Sequence, residues 1–256
     1  IGTFPPNTSL IESFIENKDT GLQNFNRDTR GLFAVEYLLF DLESNSSKII
    51  QNFSKEDRKS YLRAIVKDIA TRVKTVTDEW NGNYLYTFVN NSGTDAGSST
   101  SVLYNEWLKS FESIKNFKLG IPLGLRPGQT GLEPLKCEAA YSGYSIMLLF
   151  YHIEGIKNTF YGSIDRNSPK IGFDDYLKNM PGGNDLLSQI NKAFDNIGAI
   201  LNPLLNDRNM SLDLMNNISE PYKNLHDELQ KSTRYVKSDM SSLLGISITY
   251  SSGDGD

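Results

Sequence analysis

The sequence predicts an all-α protein built as two packed helical bundles, and three observations carry that reading. Apolar residues recur at spacings of three and four through nearly every long segment, the period of a helix with one buried face. A passage rich in Gly and Pro, Lys118 to Glu133, breaks that period near the middle of the chain. The alternating stretch Ile246 to Tyr250 stands by itself, with no second strand to pair against, and reads as extended chain. Residues 1–117 are then an N-terminal bundle, 118–133 an ordered connection, and 134–256 a C-terminal bundle.

Each element has its own signal. Ser9 to Phe14 suits a short helix after Pro5-Pro6. Asp28 or Thr29 is placed to cap a helix running through Gly31-Leu32-Phe33-Ala34-Val35-Glu36-Tyr37-Leu38-Leu39-Phe40. That helix is apolar around its circumference and is expected to be buried on all sides. Ser54, followed by acids that favour a positive helix N-terminus, opens a long helix. Its inward stripe is Tyr61, Leu62, Ile65, Ile69, Val73, Val76 and Trp80. Asn90 to Thr100 reads as a loop, and Ser99 to Phe117 as a helix with Val102, Leu103, Trp107, Phe111 and Ile114 inward. In 118–133, Leu119, Ile121, Leu123 and Leu125 call for burial although the glycines and prolines forbid regular structure, so the passage is ordered. Pro134 suits the first position of a helix reaching about Tyr161. A loop at 162–183 precedes a helix from Asn184 to Leu201. The last helix starts at Ser211 or Pro221 and ends near Gly245.

Composition excludes several classes of function. The net charge is −5 over 256 residues, and no run of Lys and Arg is dense enough to track a phosphate backbone, which argues against a nucleic-acid partner. A single cysteine, Cys137, permits no disulfide within the chain, and a buried inert thiol is its expected state. The longest apolar run, Ser145 to Tyr151, is far short of a membrane span. No secretory signal is visible at Ile1, and the missing initiator Met suggests a trimmed or partial form.

Glu36 is the most informative residue. A carboxylate inside an apolar helix must find a donor, a cation or a proton. Either it forms a structural ion pair with an Arg from a neighbouring helix, or it serves a site. In the helix expected from Pro134, Glu138, Ser142, Ser145, Leu149 and His152 follow at spacings of four, three, four and three and share a face. They form a polar patch at a cleft, or else the serines only let helices approach while Glu138 complements the helix dipole. His152 suits a hydrogen-bonded interior histidine, and His226 a solvated face. Arg126 stands on the stiff connection, where it can pair with Glu36, Glu138 or an anionic ligand. Paired-histidine zinc spacing, a nucleophile elbow and a phosphate-binding loop are all missing, with Ser142-Gly143-Tyr144-Ser145 expected inside a helix. Carboxylates remain able to hold a hard cation, or iron together with a His.

Three places resemble the imelysin-like family, also grouped as M75 peptidases. Gly31 to Phe40 is similar to its signature Gly-x-His-x-x-Glu followed by an apolar run, with Gly31 and Glu36 in place and Phe33 where the His stands. Glu138-Ala139-Ala140-Tyr141-Ser142-Gly143-Tyr144-Ser145 is similar to its second-bundle helix with an acid and spaced serines. The close of the chain, Leu244 to Tyr250 and then Gly253-Asp254-Gly255-Asp256, looks like endings common in Bacteroidetes-type members. The resemblance implies two helical bundles with the signature near their interface, with the first helices of the N-terminal bundle missing before Ile1. It also implies export to the periplasm or outer membrane of a Gram-negative bacterium, commonly with a lipid anchor outside these residues, and an association with iron or haem uptake. On that basis Phe33, Glu36, Arg126, Glu138, Ser142 and Ser145 are expected to line an inter-bundle cleft for a small ligand or metal, iron or another divalent ion, with envelope proteins as further partners. Phe33 removes a ligand that a His–Glu metal site would need, which favours a non-catalytic binding protein. The alternatives are an M75 metallopeptidase with Glu36 as general base, and a structural or interaction module of the cell surface.

Overall fold

Every regular element among the described residues is helical in the computed structural model, which covers 3–22, 26–40, 45–163, 170–206 and 208–250. The predicted all-α class is the one the chain adopts. The chain divides into two compact units: Ile1–Thr87 with Glu138–Tyr144, and Phe88–Cys137 with Ser145–Asp256. The sequence reading set its own divide at 118–133. The quoted ending Gly253-Asp254-Gly255-Asp256 lies outside the described residues.

The first unit holds α1 (Thr8–Glu16), α2 (Leu32–Phe40), α3 (Ser46–Asn52), α4 (Glu56–Asn81) and the start of α5 (Asn83–Asn90). Asn7 caps α1 by accepting from the Leu10 N–H, and Asn45 caps α3 by accepting from Lys48. One face of each longer helix meets the others in a core of Ile11, Ile15, Ala34, Tyr37, Leu38, Tyr61 and Ile65. The buried Tyr61 hydroxyl donates to the Thr29 carbonyl at 2.6 Å, so that the ring adds no unsatisfied polar atom.

Three local expectations are corrected here. Asp28 and Thr29 do not cap α2; they form a separate 3₁₀ turn, Arg27–Thr29. Nor is α2 buried all round: Ala34, Tyr37 and Leu38 face the core, while Leu32 is 60% exposed and Leu39 42%. On α4 the stripe is buried only at its beginning, and Val73, Val76 and Trp80 are exposed. Length explains this. At 1.5 Å per residue the 26-residue α4 spans about 39 Å, whereas the nine-residue α1 and α2 that pack on it reach about 14 Å.

Buried beside that core is an ion pair the sequence reading passed over. Arg58, 5% exposed, donates from Nη1 to Glu12 Oε1 at 2.6 Å, and the Tyr37 hydroxyl donates to the same oxygen at 2.8 Å. The guanidinium also lies 5.6 Å from the Phe53 ring and 5.9 Å from that of Tyr37. Arg58 precedes Tyr61, Leu62 and Ile65 by three, four and seven residues, an inward position that marked it in advance.

The second unit comprises α6 (Ser99–Ser113), α7 (Ser145–Phe160), α8 (Phe173–Lys178), α9 (Gly183–Leu201), α10 (Met210–Met215), α11 (Glu220–Arg234) and α12 (Met240–Leu244). Its centre is Trp107, whose indole N–H donates to the Ile156 carbonyl at 2.9 Å and whose ring stacks on Phe160 at 6.0 Å. Helices α9 and α11 pack through Ile190, Phe194 and Ile197 on one side and Tyr222, Leu225 and Leu229 on the other. Both proposed starts of the last helix are used, because Asn209 caps α10 and Pro221 sits in the first turn of α11. Helix α8 falls where a loop was expected. Two π-helical segments, Ile114–Leu119 after α6 and Tyr235–Asp239 between α11 and α12, had no sequence signal. The extended stretch after α12 is pinned by Asn105, which donates from Nδ2 to the Ser247 carbonyl at 3.1 Å and accepts from the Thr249 N–H at 2.8 Å.

Two predictions follow from this packing. Arg58→Ala leaves Glu12 with the Tyr37 hydroxyl alone and takes the guanidinium from the Phe53 and Tyr37 rings, and should cost on the order of 1–2 kcal/mol in urea unfolding, whereas Arg63→Ala, in a surface pair with Glu56, should leave stability nearly unchanged. His152 of α7 has Nε2 within 2.8 Å of Ser110 Oγ and a buried Nδ1 with no partner; burial, then the charge of Lys118, lowers its pKa to about 4 from 6.5. The unfolded chain therefore takes up a proton below about pH 6.5 that the folded chain refuses until about pH 4. Stability should fall as pH drops through that window, and thermal unfolding of His152→Gln should show a flatter decline there than the wild type.

Candidate functional site

Helix α2 presents Glu36 at the margin of the first core, half-buried between the inward Tyr37 and the exposed face. What meets it is not an arginine. Ser142 donates to Glu36 Oε1 twice, from its backbone N–H at 2.7 Å and from its hydroxyl at 2.8 Å. Both donors of one residue converge on one carboxylate oxygen, and the other, Oε2, is buried with no hydrogen-bond partner. An orphaned buried carboxylate oxygen is costly, and it marks the place where a donor or cation would be gained.

The segment that delivers Ser142 overturns an expectation. Pro134–Lys136 is a 3₁₀ turn, residues 137–144 are irregular, and α7 starts only at Ser145. Glu138 and Ser142 therefore share no helical face with Ser145, Leu149 and His152, and Ser142-Gly143-Tyr144 is a turn. Two left-handed residues break the helix: Gly143, with φ +77°, and Ala139, with φ +56°. Glycine adopts that conformation freely, but alanine is strained there by roughly 1 kcal/mol or more. Strain of this kind persists where surrounding contacts impose it, and the Gly143 N–H closes the turn on the Ala139 carbonyl at 3.0 Å. Tyr141, in the same turn, meets the Tyr37 ring edge-on at 5.4 Å.

Of the residues singled out in the sequence, Phe33, Glu36, Glu138 and Ser142 belong to the first unit. Phe33, at the signature's His position, packs edge-on against Phe4 at 5.1 Å and so fills that place with hydrocarbon. Glu138 is half-buried. Arg126 and Ser145 belong to the second unit. Ser145 is 2% exposed at the start of α7. The Arg126 guanidinium lies 5.8 Å from the Phe117 ring, and Gln129 fixes its loop by accepting from the Arg126 N–H at 2.8 Å and donating to the Ile121 carbonyl at 2.9 Å. Gly124, φ +70°, is required there, since a Cβ would lie 2.1 Å from the Gly131 carbonyl oxygen. The connection is ordered, with Leu119 and Leu123 buried as expected, Ile121 half-buried and Leu125 exposed against expectation. Burial pushes the Cys137 thiol up to about 12, so the inert reading of that residue stands.

Metal chemistry meets a specific obstacle. No three His, Cys, Asp or Glu side chains gather among the described residues, and Glu36 offers one unengaged oxygen. That donor set does not fit a metal held by the protein alone. No helix among the described residues is long and apolar enough to cross a membrane.

Among known families, the model for Imelysin, peptidase M75, matches residues 1–238. The chain belongs to the imelysin family. A solved structure with the same fold is described as an iron-regulated protein A precursor from Parabacteroides distasonis, with a TM-score of 0.63 at 16% identity, covering 93% of this chain and 74% of that one. No curated protein matches. In this imelysin Glu36 bonds to a turn 106 residues further on.

This tether can be weighed by mutation. Ser142→Ala removes one of two donors and should cost about 1 kcal/mol in chemical unfolding; Glu36→Ala, which strands both, should cost more, about 2 kcal/mol. Equal, negligible losses in both variants would show that the turn is held by other contacts.

Proposed function

We propose that this imelysin is an exported, non-catalytic binding protein serving iron or haem handling at the bacterial envelope, with Glu36 as the group that meets the ligand. The observation that carries the reading is the division of labour in that carboxylate: Oε1 is fully engaged by Ser142, and Oε2 is buried with nothing bonded to it. The family and the iron-regulated precursor of the same fold support the setting. Phe33 and the sparse donor set favour a metal that arrives with its own organic ligands, because Glu36 can then fill one coordination place or accept one hydrogen bond. Phe33 supplies an apolar wall beside it. A peptidase reading would make Glu36 a general base toward a metal-bound water, and the ligands such a metal needs are not gathered among the described residues.

Calorimetric titration tests this directly. Haemin and ferric nitrilotriacetate are the probes, with bare calcium as the control. One of the iron complexes should bind saturably to the wild type and at least about tenfold more weakly to Glu36→Gln, which keeps the Ser142 contact at Oε1 but removes the charge. Equal binding by the two proteins, or none by either, removes Glu36 from the ligand. Chelator-sensitive cleavage of casein that disappears in Glu36→Gln would replace the reading with the peptidase one.

A further inference from the structure

The second unit contains a cavity of about 780 Å³ whose described lining carries Lys115, Arg126, His226, Arg234 and Lys237 and no acidic residue. A chain with a net charge of −5 has thus concentrated cations in one hollow of small-molecule size. Both π-helical segments border it. The first contributes Lys115 and Asn116, and the second Lys237 and Ser238. The wider turn is visible in the backbone, where the Gly120 N–H donates to the Lys115 carbonyl five residues back at 2.8 Å. Such turns are frequent at functional sites because the extra residue re-aims neighbouring side chains.

The cations are held in place. Lys115 is 3% exposed, and its ammonium donates to the neutral amide oxygen of Gln230, also in the lining, at 2.6 Å. Lys237 donates to Glu112 at 2.9 Å, and that carboxylate is shared with the Tyr250 hydroxyl at 2.6 Å. Arg126 is fixed by the Gln129 turn and by Phe117. Arg234, its side chain 78% exposed, stands at the rim with Asp239 at 3.5 Å, and His226 has Asp227 at 3.3 Å. His226 is thus not simply on a solvated face: its side chain is 17% exposed and lines the hollow. Asn116, Gln129 and Gln230 add amide groups to the lining, with Gln129 and Gln230 serving to fix Arg126 and Lys115. Positive groups on three separate walls suit a ligand with several negative oxygens better than a single charge.

We propose that this cavity is a second binding site, specific for a small multivalent oxyanion, a phosphate or a polycarboxylate, held by Lys115, Arg126, Arg234 and Lys237. It stands apart from the Glu36 reading in residues and in ligand chemistry. Metal-free calorimetry on the full chain tests it, with pyrophosphate, citrate and, as a singly charged control, acetate at constant ionic strength. Pyrophosphate or citrate should bind saturably, the tighter naming the ligand class, and acetate should not. The double variant Arg126→Gln, Arg234→Gln should weaken that binding at least about tenfold, with an unchanged unfolding temperature showing that the fold is intact. Glu36→Gln should bind the anion as the wild type does, which separates this outcome from the test of the other site. Absence of saturable binding at millimolar concentrations, binding of acetate as tight as that of citrate, or undiminished affinity in the folded double variant overturns the proposal.

Discussion

The fold of the first unit turns on one carboxylate oxygen. Glu36 Oε1 draws the N–H and the hydroxyl of Ser142 to within 2.8 Å, and with them a seven-residue turn, 138–144, that groups with the first unit while the residues before and after it group with the second. A segment patterned for a helix is an irregular turn instead, with Ala139 in a left-handed conformation and Ser142 giving both of its donors to a carboxylate elsewhere in the chain. Local propensity and tertiary demand disagree here, and the tertiary demand wins.

This conflict explains what the sequence reveals and what it hides. Where a helix needs only one buried face, period and caps suffice: α1 and α9 begin within a residue of their expected starts, and α9 ends where expected. Where a helix outruns its neighbours, as α4 does, an apolar stripe is no guide to burial. The turn at 137–144 was hidden because the carboxylate it bonds to, Glu36, lies about a hundred residues away. Glu36 was legible as a carboxylate in need of a partner, but the partner was expected to be a cation. Arg58, the buried arginine nearby, is committed to Glu12 and Tyr37.

The two units meet the problem of buried charge with the same few devices. Around Glu36 a carboxylate takes neutral donors, and the buried Arg58 of the same unit takes a different acid. In the second unit Lys115 is buried against an amide, and Lys237 shares its carboxylate with a tyrosine. The Lys237–Glu112 pair repeats the arrangement of Arg58 and Glu12, because in each a cation and a tyrosine hydroxyl converge on one carboxylate.

Phe33 sharpens the point for the family. With an imidazole at that position, one helical turn from Glu36, the signature would offer two ligating groups on a single face. The phenyl instead spends that face on Phe4, leaving the acid to a turn whose hydroxyl and N–H can only donate to it. A bare cation would have to compete with those donors while gaining a single new oxygen. A ligand that brings its own donors would meet no such competition at Oε2. With a phenyl at position 33, the proposed role for Glu36 is therefore recognition of a molecule rather than the holding of a bare ion.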